Sequence, residues 1–396
     1  MRRPACKVLH LYANHKWTGP ADLALLVARA TLGRDDPSGG RVEPSFALAG
    51  FVHGGMDHAI RARCLELGLP FREGLSLRRH FRVGSTIRDA RRLARWIDAG
   101  AVDVLHAHQS GDHLVAALAL SQARRRVPLV RSVWEVDAPR PWPRALYSFA
   151  KTDAVTVPLP GSDAAFARLG IAPRRVFLLP PPLDAAFFAA AADRNVERAS
   201  LRAELSLDPS ALLVGITARI QRRRRWATLW QAWQRVVSRE PAAHLVVLGR
   251  PDAGVFEELC RDPLGRLGIE RHVHFLGYRR GERYRQALLA LDLFTMLVPG
   301  SDATARALRE AMALGIPVVC GDSGRLRAVV GASSVVPLDP ARLSAALVDL
   351  LADRQRRATL GLRARATARA RWMPEVAGAA ALTVYGQVRA QAGAAS

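Results

Sequence analysis

The chain alternates short apolar runs with longer segments whose apolar residues recur at helical spacing. This alternation predicts βαβ units, in which helices cover both faces of a parallel sheet. It occurs twice along the 396 residues, on either side of the proline-rich segment 178–188. Three consecutive prolines in that segment stiffen the chain and exclude a helix. We therefore predict an α/β protein with an N-terminal Rossmann-like domain over 1–183, a C-terminal one over 184–375, and a C-terminal helix over 376–396 able to pack back on the first domain.

Strand and helix bounds follow from the same periodicity. The predicted strands are 7–13, 44–51, 102–108, 127–134 and 153–159, then 211–220, 243–250, 272–278, 292–297, 316–320 and 334–338. The predicted helices are 21–33, 86–100, 225–240, one from 253, 282–290, 305–314 and one from 340. We expect Ser85 to cap the helix at 86–100, with Ile87, Ala90, Leu93 and Ile97 as its buried stripe.

The net charge is +23 and is carried almost wholly by arginine. Such a charge attracts phosphates, anionic lipid surfaces or nucleic acid. The four cysteines are scattered, which argues against a disulfide framework or zinc site and fits a reducing cytoplasm. No apolar span reaches 18 residues, so we expect a cytoplasmic protein whose membrane contact is peripheral, at the inner face. The basic segment 76–96 would suit anionic lipid, but a plain amphipathic surface helix is the explanation that we favour.

Two acids bracket a predicted helix start in the stretch 299–322. Thr304 fits the N-cap, and the amides of residues 303–306 would form an anion site at the helix mouth. Asp302 lies beside that mouth, and Glu310 lies about two turns further along. This arrangement suits a ligand with a phosphate centre and hydroxyl-bearing ends, such as a nucleotide sugar.

The same stretch resembles the retaining glycosyltransferases of family 4, which have the GT-B fold of two Rossmann-like domains facing across a cleft. Glu310-Ala-Met-Ala and Gly315-Ile-Pro-Val-Val match the second half of the family motif. Asp302 stands where the family has its first Glu, and residues Ala303, Thr304 and Ala305 replace a glycine-bearing turn. The resemblance implies that Glu310 binds the nucleotide ribose and that Asp302 approaches the donor sugar.

Other motifs extend the resemblance along the chain. The segment 103–108 ends in His108, which matches the histidine that faces the donor sugar. Arg219 and Arg225 match the residues that clamp the donor diphosphate, with Arg224 one residue away from the second position. Gly19, followed by proline, is similar to the N-domain loop that approaches the donor. By this resemblance His108, Asp302, Arg219 and Arg225 are the catalytic candidates.

The resemblance implies transfer of a hexosyl group from a UDP- or GDP-sugar to a glycan, lipopolysaccharide or lipid-linked acceptor, with retention of configuration. The chain has no Asp-x-Asp motif, so we expect no metal at the diphosphate and no other cofactor. Two alternatives remain. A GT-B scaffold without transferase activity would also explain Asp302 and the missing glycines. A nucleic-acid-binding protein would explain the charge, but the arginine run lacks interleaved aromatics and we predict no specific nucleic-acid partner.

Single residues also have simpler explanations. Glu310 would fit an exposed helix position paired with Arg306, and Asp302 would fit an N-cap helper. His106 would pack within the domain, and His113 rivals His108 as the functional histidine. Core packing explains the three tryptophans at helical spacing, Trp226, Trp230 and Trp233, and a solvated face explains the arginines of 222–225 outside the clamp.

Overall fold

A computed structural model gives the fold. It describes residues 3–16, 18–50, 58–78, 80–135, 138–161, 163–189, 194–300 and 304–394. The chain forms two compact units. Unit 1 comprises residues 1–182 and 374–396, and unit 2 comprises residues 183–373.

Strands alternate with helices in both units. The strands are β1 (Arg3–Leu11), β2 (Gly40–Ala49), β3 (Phe71–Leu75), β4 (Val104–Ala107), β5 (Leu129–Ser132), β6 (Ala154–Val157), β7 (Val176–Leu178), β8 (Leu212–Thr217), β9 (Ala243–Leu248), β10 (Val273–Gly277), β11 (Leu293–Met296), β12 (Val318–Gly321) and β13 (Val335–Val336). The α-helices are α1 (Gly19–Thr31), α2 (Ala59–Glu66), α3 (Val83–Asp98), α4 (Ser110–Leu120), α5 (Pro143–Ala150), α6 (Arg194–Glu204), α7 (Trp226–Val237), α8 (Asp262–Leu267), α9 (Gly281–Leu289), α10 (Arg306–Ala313), α11 (Leu326–Val330), α12 (Pro340–Ala352), α13 (Arg354–Trp372) and α14 (Pro374–Ala394). A π-helical turn, Glu257–Arg261, leads into α8. Short 3-10 turns cover Asp163–Leu169, Pro173–Arg175, Ala185–Phe187, Arg222–Arg224, Glu270–His272 and Ala332–Ser334.

Each unit has a parallel sheet of doubly wound order. Within the described residues unit 1 has seven strands in the order β3-β2-β1-β4-β5-β6-β7, and unit 2 has six in the order β10-β9-β8-β11-β12-β13. The predicted pair of Rossmann-like parallel sheets is therefore confirmed. In unit 1 the strand order reverses direction between β1 and β4, and in unit 2 it reverses between β8 and β11. Ligands of such sheets bind outside the carboxyl ends of the strands at this switch point.

The helix α14 completes the core of unit 1. It runs along α1 and buries Ala377, Ala381 and Tyr385 against the sheet. Gly378 permits the close approach, because a Cβ there would lie 2.6 Å from the carbonyl oxygen of Ala30. Arg389 forms an ion pair of 2.6 Å with the buried Asp36.

In unit 2 the predicted core role of Trp226, Trp230 and Trp233 is confirmed, since all three are buried on α7. The indole N–H of Trp230 donates to the carbonyl of Leu259 at 2.7 Å, and that of Trp233 donates to the carbonyl of His272 at 3.2 Å. These bonds satisfy two polar groups that burial would otherwise leave unpaired.

The start of α3 differs from the prediction. The helix begins at Val83 with Arg82 in the N-cap position, and Ser85 lies inside the first turn, where its hydroxyl donates to the carbonyl of Arg82 at 3.1 Å. Ile87 was wrongly placed in the buried stripe, because its side chain is exposed. The buried face runs through Thr86, Ala90, Leu93 and Ile97, and Ile87 lies just outside it. Among the helices that the structure describes, none is sufficiently long and apolar to cross a membrane.

Candidate functional site

The sequence-predicted residues of unit 2 gather at the carboxyl edge of its sheet. Arg219 follows β8, and Thr304 and Ala305 close the loop between β11 and α10. The strands β8 and β11 are neighbours at the switch point of this sheet. Asp302 and Ala303, predicted to contact the donor, lie outside the described residues.

Glu310 is a buried acid on α10, with 2% of its surface exposed. Its Oε1 accepts from Nε of Arg306 at 2.7 Å, and its Oε2 accepts from the hydroxyl of Tyr284 at 3.0 Å. The Tyr284 hydroxyl also lies 3.3 Å from Oγ1 of Thr217, the last residue of β8. The simpler explanation, that Glu310 is an exposed helix residue, is therefore wrong about its exposure. The pair with Arg306 that this explanation proposed is present.

The surroundings keep the phenol of Tyr284 protonated. Burial raises its pKa well above the ordinary value of 10.0, and the nearby charge of Glu310 raises it further. Tyr284 therefore remains a hydrogen-bond donor to the carboxylate at any physiological pH. A buried carboxylate needs such partners, because an unpaired charge in the interior is costly.

The helix α10 begins one residue later than predicted. Ala305 is in the N-cap position in the left-handed conformation, with φ 44°, and the first helical residue is Arg306. Thr304 is therefore not the N-cap; it is buried, and its carbonyl accepts from Nε of Arg309 at 2.6 Å. A left-handed alanine costs roughly 1 kcal/mol or more because its Cβ crowds the backbone. The family's glycine-bearing turn would adopt this conformation without strain.

The arginines after β8 divide into tethered and free side chains. Arg224 donates from Nη1 to the carbonyl of Val298 at 2.8 Å, which ties this loop to the one after β11. Arg219 is 54% exposed and lies 3.7 Å from a carboxylate oxygen of Asp252. Arg225 is exposed, with φ 59°, and its side chain has no hydrogen bond or ion pair to any described residue. Arg219 and Arg225 are therefore less tightly held by the described residues than Arg224 is.

The remaining arginines of the run pair with neighbouring side chains. Arg222 forms an ion pair with Glu258, and Nε of Arg223 donates to Oε1 of Gln221 at 3.3 Å. Both are exposed. The solvated-face explanation therefore suits these two residues.

In unit 1 the parallel pairing of β1 with β4 assembles three histidines. His10 is in register with His106, and His108 follows two residues later on the same strand face. The His10 Nδ1 and His108 Nε2 atoms lie 3.0 Å apart, and the rings of His106 and His108 stack at 4.3 Å. His106 bonds to the hydroxyls of Tyr385 at 2.8 Å and Ser132 at 2.7 Å, which confirms that it packs within its domain. Both its ring nitrogens are thus already engaged, so a metal held by all three histidines would have to displace these bonds.

Burial keeps the three imidazoles neutral. It lowers the pKa of His10 from 6.5 to about 3 and the pKa values of His106 and His108 well below 6.5. The Nδ1 atom of His108 is buried and has no hydrogen-bond partner among the described residues. His108 therefore offers a neutral ring nitrogen at the switch point of unit 1.

The other unit 1 candidates have structural partners. His113, the rival of His108, lies on α4 and bonds to Oγ1 of Thr152 at 2.7 Å, fully inside the protein. Gly19 opens α1, whose N-cap is Thr18. The Thr18 hydroxyl bonds to Tyr12 at 2.7 Å, which fixes the loop between β1 and α1.

Sequence reasoning missed Tyr284, Thr217 and Asp252. Tyr284 lies 26 residues from the carboxylate that it orients. The sequence around it shows only an amphipathic helix, so no local pattern signals its role.

Comparison with known proteins is consistent with this geometry. The family described as "Glycosyl transferases group 1" matches residues 211–353, and "Glycosyltransferase Family 4" matches residues 56–187. The D-inositol 3-phosphate glycosyltransferase of Nocardia farcinica is 30% identical over 67% of this chain and 62% of its own length. The GDP-mannose-dependent monoacylated alpha-(1-6)-phosphatidylinositol monomannoside mannosyltransferase of Corynebacterium glutamicum is 28% identical over 46% of this chain and 49% of its own. The matches thus span about half to three fifths of these relatives.

A solved structure matches along almost the whole chain. The Anabaena Alr3699/HepE structure in complex with UDP aligns with a TM-score of 0.75 over 98% of this chain and 100% of its own, at 19% identity. At that identity the likeness establishes the fold. Two doubly wound sheets with this match define a GT-B protein. The chain belongs to the group 1, family 4 glycosyltransferases.

Proposed function

We propose that this chain transfers a hexosyl group from a nucleotide sugar to an acceptor hydroxyl, with retention of configuration. The observation that carries the proposal is the buried carboxylate of Glu310, held by Tyr284 and Arg306 at the carboxyl edge of the unit 2 sheet. The carboxylate would accept hydrogen bonds from the ribose hydroxyls. A carboxylate fixed by two partners loses little freedom when it binds, which favours affinity.

Arg219 and Arg225 would bind the diphosphate. Guanidinium–phosphate hydrogen bonds are among the strong, charge-assisted ones. As the sugar–phosphate bond breaks, negative charge develops on the departing nucleotide, and neighbouring cations stabilise that charge in the transition state. In this proposal arginines supply the positive charge and no metal takes part. Asp302 is proposed, from the family motif, to contact the sugar.

His108 is the proposed unit 1 contact to the donor sugar. Because its imidazole is neutral, it can hydrogen-bond to a sugar hydroxyl without adding a charge to the site. Its Nδ1 atom is buried and has no partner among the described residues, so a bond from a sugar hydroxyl would satisfy it.

The base and the acceptor are the finer parts of the proposal. The Anabaena structure holds UDP, and the Corynebacterium relative is named for GDP-mannose, so both UDP- and GDP-sugars are proposed donors. The names of the relatives suggest inositol phosphates and phosphatidylinositols as acceptors. A glycan, a lipopolysaccharide and another lipid-linked acceptor are the further candidates. A lipid acceptor would bring the basic protein into peripheral contact with an anionic membrane at the inner face.

The second candidate is a GT-B scaffold that binds nucleotide without transferase activity. The strained left-handed Ala305 favours it, because the loop there lacks the glycine that would relax the backbone. Such a scaffold would keep nucleotide affinity and show no turnover.

A thermal-shift screen against UDP, GDP, ADP and their sugar conjugates tests the donor site. We expect one base to raise the Tm of the wild type, since saturating ligand at about 100 times Kd adds about 2.7 kcal/mol to stability. The variant Glu310→Ala should lose this shift. The control Glu257→Ala should keep it, because Glu257 is an exposed acid paired with Arg261.

Three results separate the candidates. A nucleotide shift that depends on Glu310, followed by release of UDP or GDP with an acceptor, supports the transferase. The same shift without sugar transfer to any acceptor class supports the scaffold. A wild type that responds to no nucleotide contradicts both.

A further inference from the structure

Unit 1 contains a cavity of about 510 Å³ at the carboxyl edge of its sheet. The segment that leads from β3 into α3, the start of α4 and the start of α5 enclose it. One of its lining residues, Arg131, is paired in register with Ala107, the residue before His108. Arg131 therefore lies on the strand next to the one that leads to His108.

Arg131 is a buried cation with no ion pair to any described carboxylate. It lies on β5 with 1% of its surface exposed. Its Nη1 donates to the carbonyl of Ser132 at 2.6 Å, but its Nε has no partner among the described residues. No described carboxylate lies within ion-pair distance of it. Burial lowers the pKa of Arg131, and the more distant charges of Glu135 and Asp112 only partly oppose this.

Two of the nearby acids, Asp112 and Asp89, already accept hydrogen bonds from the backbone. The Asp112 carboxylate accepts N–H groups from Ala13, His108 and Gln109. Asp89, which lines the cavity, accepts the N–H groups of Ser76 at 2.8 Å and Leu77 at 2.9 Å. An uncompensated buried charge is costly to a folded protein unless a ligand of opposite sign pairs with it. The structure thus carries a cost that an anionic ligand would remove.

Further positive groups face the same space. Arg78, Arg140 and Arg144 line the cavity with Arg131. Ser110 and Gly111 also line it and form the first turn of the eleven-residue helix α4. Helix N-termini favour anions because their first N–H groups point outward along the helix dipole.

One wall of the cavity is aromatic. Phe81 and Trp142 line it and are 41% and 66% exposed. The guanidinium carbon of Arg144 lies 3.7 Å from the ring centre of Phe81, so cationic and apolar surfaces meet there. An anionic group attached to a carbon skeleton fits this combination better than a free ion does.

We infer that this cavity binds the phosphate group of a phosphorylated acceptor, with Arg131 as its buried partner. That the ligand is an acceptor rests on the proposed transferase function. The phosphate site itself is argued from unit 1 alone. The ligand chemistry is a phosphate ester of a sugar or polyol. It can come from a soluble phosphate ester or from the head group of a lipid.

Binding by the purified full chain tests the inference. The soluble probes are inorganic phosphate and D-inositol 3-phosphate, measured by calorimetry, and the lipid probes are phosphatidylcholine vesicles with and without phosphatidylinositol. Arg131→Gln should weaken binding at least about tenfold, the loss expected when a charge-assisted hydrogen bond is removed. Arg124→Gln removes the same charge from an exposed site outside the cavity and should bind as wild type does.

A second variant guards against misfolding. Ser110→Glu places a carboxylate at the exposed first residue of α4, where an acid suits the helix dipole, and should repel the phosphate without loosening the fold. In the absence of ligand, Arg131→Gln should melt no lower than the wild type, because it removes an unpaired buried charge. A purely structural arginine would instead lower the Tm.

The outcomes distinguish a soluble phosphate ester from a lipid head group and test whether the cavity binds phosphate at all. Arg131-dependent binding of the soluble ester identifies a soluble acceptor, and Arg131-dependent binding of phosphatidylinositol vesicles alone identifies a lipid head group. Wild-type binding of no probe, or equal binding by Arg131→Gln, overturns the inference. The nucleotide-induced Tm rise should persist in Arg131→Gln, so failure of the phosphate site and failure of the donor site are distinguishable.

Discussion

The hydroxyl of Tyr284 donates a 3.0 Å hydrogen bond to Oε2 of Glu310, joining α9 to α10. Arg306 holds the other carboxylate oxygen at 2.7 Å. The acid therefore has a fixed orientation before any ligand arrives. Fixed polar groups are more effective in binding and catalysis than mobile ones, because little reorganisation is needed.

Removing the Tyr284 hydroxyl should affect both stability and nucleotide binding. For Tyr284→Phe we expect the free energy of unfolding to fall by about 1–2 kcal/mol, because a buried carboxylate loses a hydrogen bond. The nucleotide-induced Tm rise should also shrink. Urea denaturation and thermal shift measure the two effects. Tyr278→Phe, on an exposed ring, is the matched control, and equal effects in the two variants would contradict the prediction.

Relaxing the backbone at Arg225 should separate stability from function. Arg225 has φ 59°, a conformation that glycine adopts without strain. We expect Arg225→Gly to leave the free energy of unfolding unchanged or to raise it by up to about 1 kcal/mol. Nucleotide affinity should fall, since the proposed diphosphate contact is gone. Arg225→Ala, which loses the same side chain but keeps the strain, should lose affinity without gaining stability; a loss of stability in the glycine variant would contradict the strain argument.

The loops after β8 and β9 touch at Gly249. A Cβ there would lie 2.0 Å from the carbonyl oxygen of Ala218, beside Arg219. We expect Gly249→Ala to lower the free energy of unfolding by about 2 kcal/mol or more, as overpacking against backbone does. Chemical denaturation checks this. Gly84→Ala, whose Cβ meets nothing within 4 Å, should be neutral or stabilising, and similar losses in both variants would be evidence against the contact.

Unit 1 should lose stability steeply in mild acid. Burial lowers the pKa values of His10, His106, His108 and His113 below the ordinary 6.5. Below pH 6.5 these histidines are protonated in the unfolded chain but stay neutral in the folded one. Each histidine therefore reduces the free energy of unfolding by up to about 1.4 kcal/mol per pH unit as the pH falls. Asp112 acts in the opposite direction. Burial raises its pKa to about 7, so as the pH falls the folded state is protonated before the unfolded state and gains stability.

Four histidines less Asp112 leave the effect of three histidines, or about 4 kcal/mol per pH unit at most, between pH 6 and pH 5. Asp89, whose pKa burial also raises, reduces this further. Urea midpoints followed from pH 7.5 to pH 5 measure it. His113→Gln should flatten the profile by about one histidine's share. His80→Gln, at an exposed position, should leave it unchanged. A flat wild-type profile would show that these histidines are protonated in the folded protein.

The elements with strong local signals were predictable. The two sheets followed from the alternation of apolar runs and helical patterns, and the buried stripe of tryptophans on α7 followed from its spacing. The short edge strands β3 and β7 were not predicted. Phe71–Leu75 lacks an apolar run, and Val176–Leu178 is an apolar run of only three residues next to the prolines. Edge strands are less buried and so carry weaker patterns.

The candidate site was predictable only in part. Glu310 could be selected from its motif, but its burial could not be foreseen, because the partner Tyr284 comes from a different helix. Thr304 carried the residue type of an N-cap, yet the left-handed Ala305 displaced the helix start by one residue. Arg131 looked like one arginine among many, since neither its burial nor its missing counterion is visible in a strand sequence.

Unit 1 is interrupted by the whole of unit 2, and its helix α14 follows unit 2 in the sequence. During synthesis the ribosome therefore delivers all of unit 2 before Tyr385 can reach His106 and before Arg389 can reach Asp36. Until α14 is made, residues 1–182 lack the helix that packs along α1 and the arginine that pairs with Asp36. Unit 1, which begins before unit 2, is therefore completed after it.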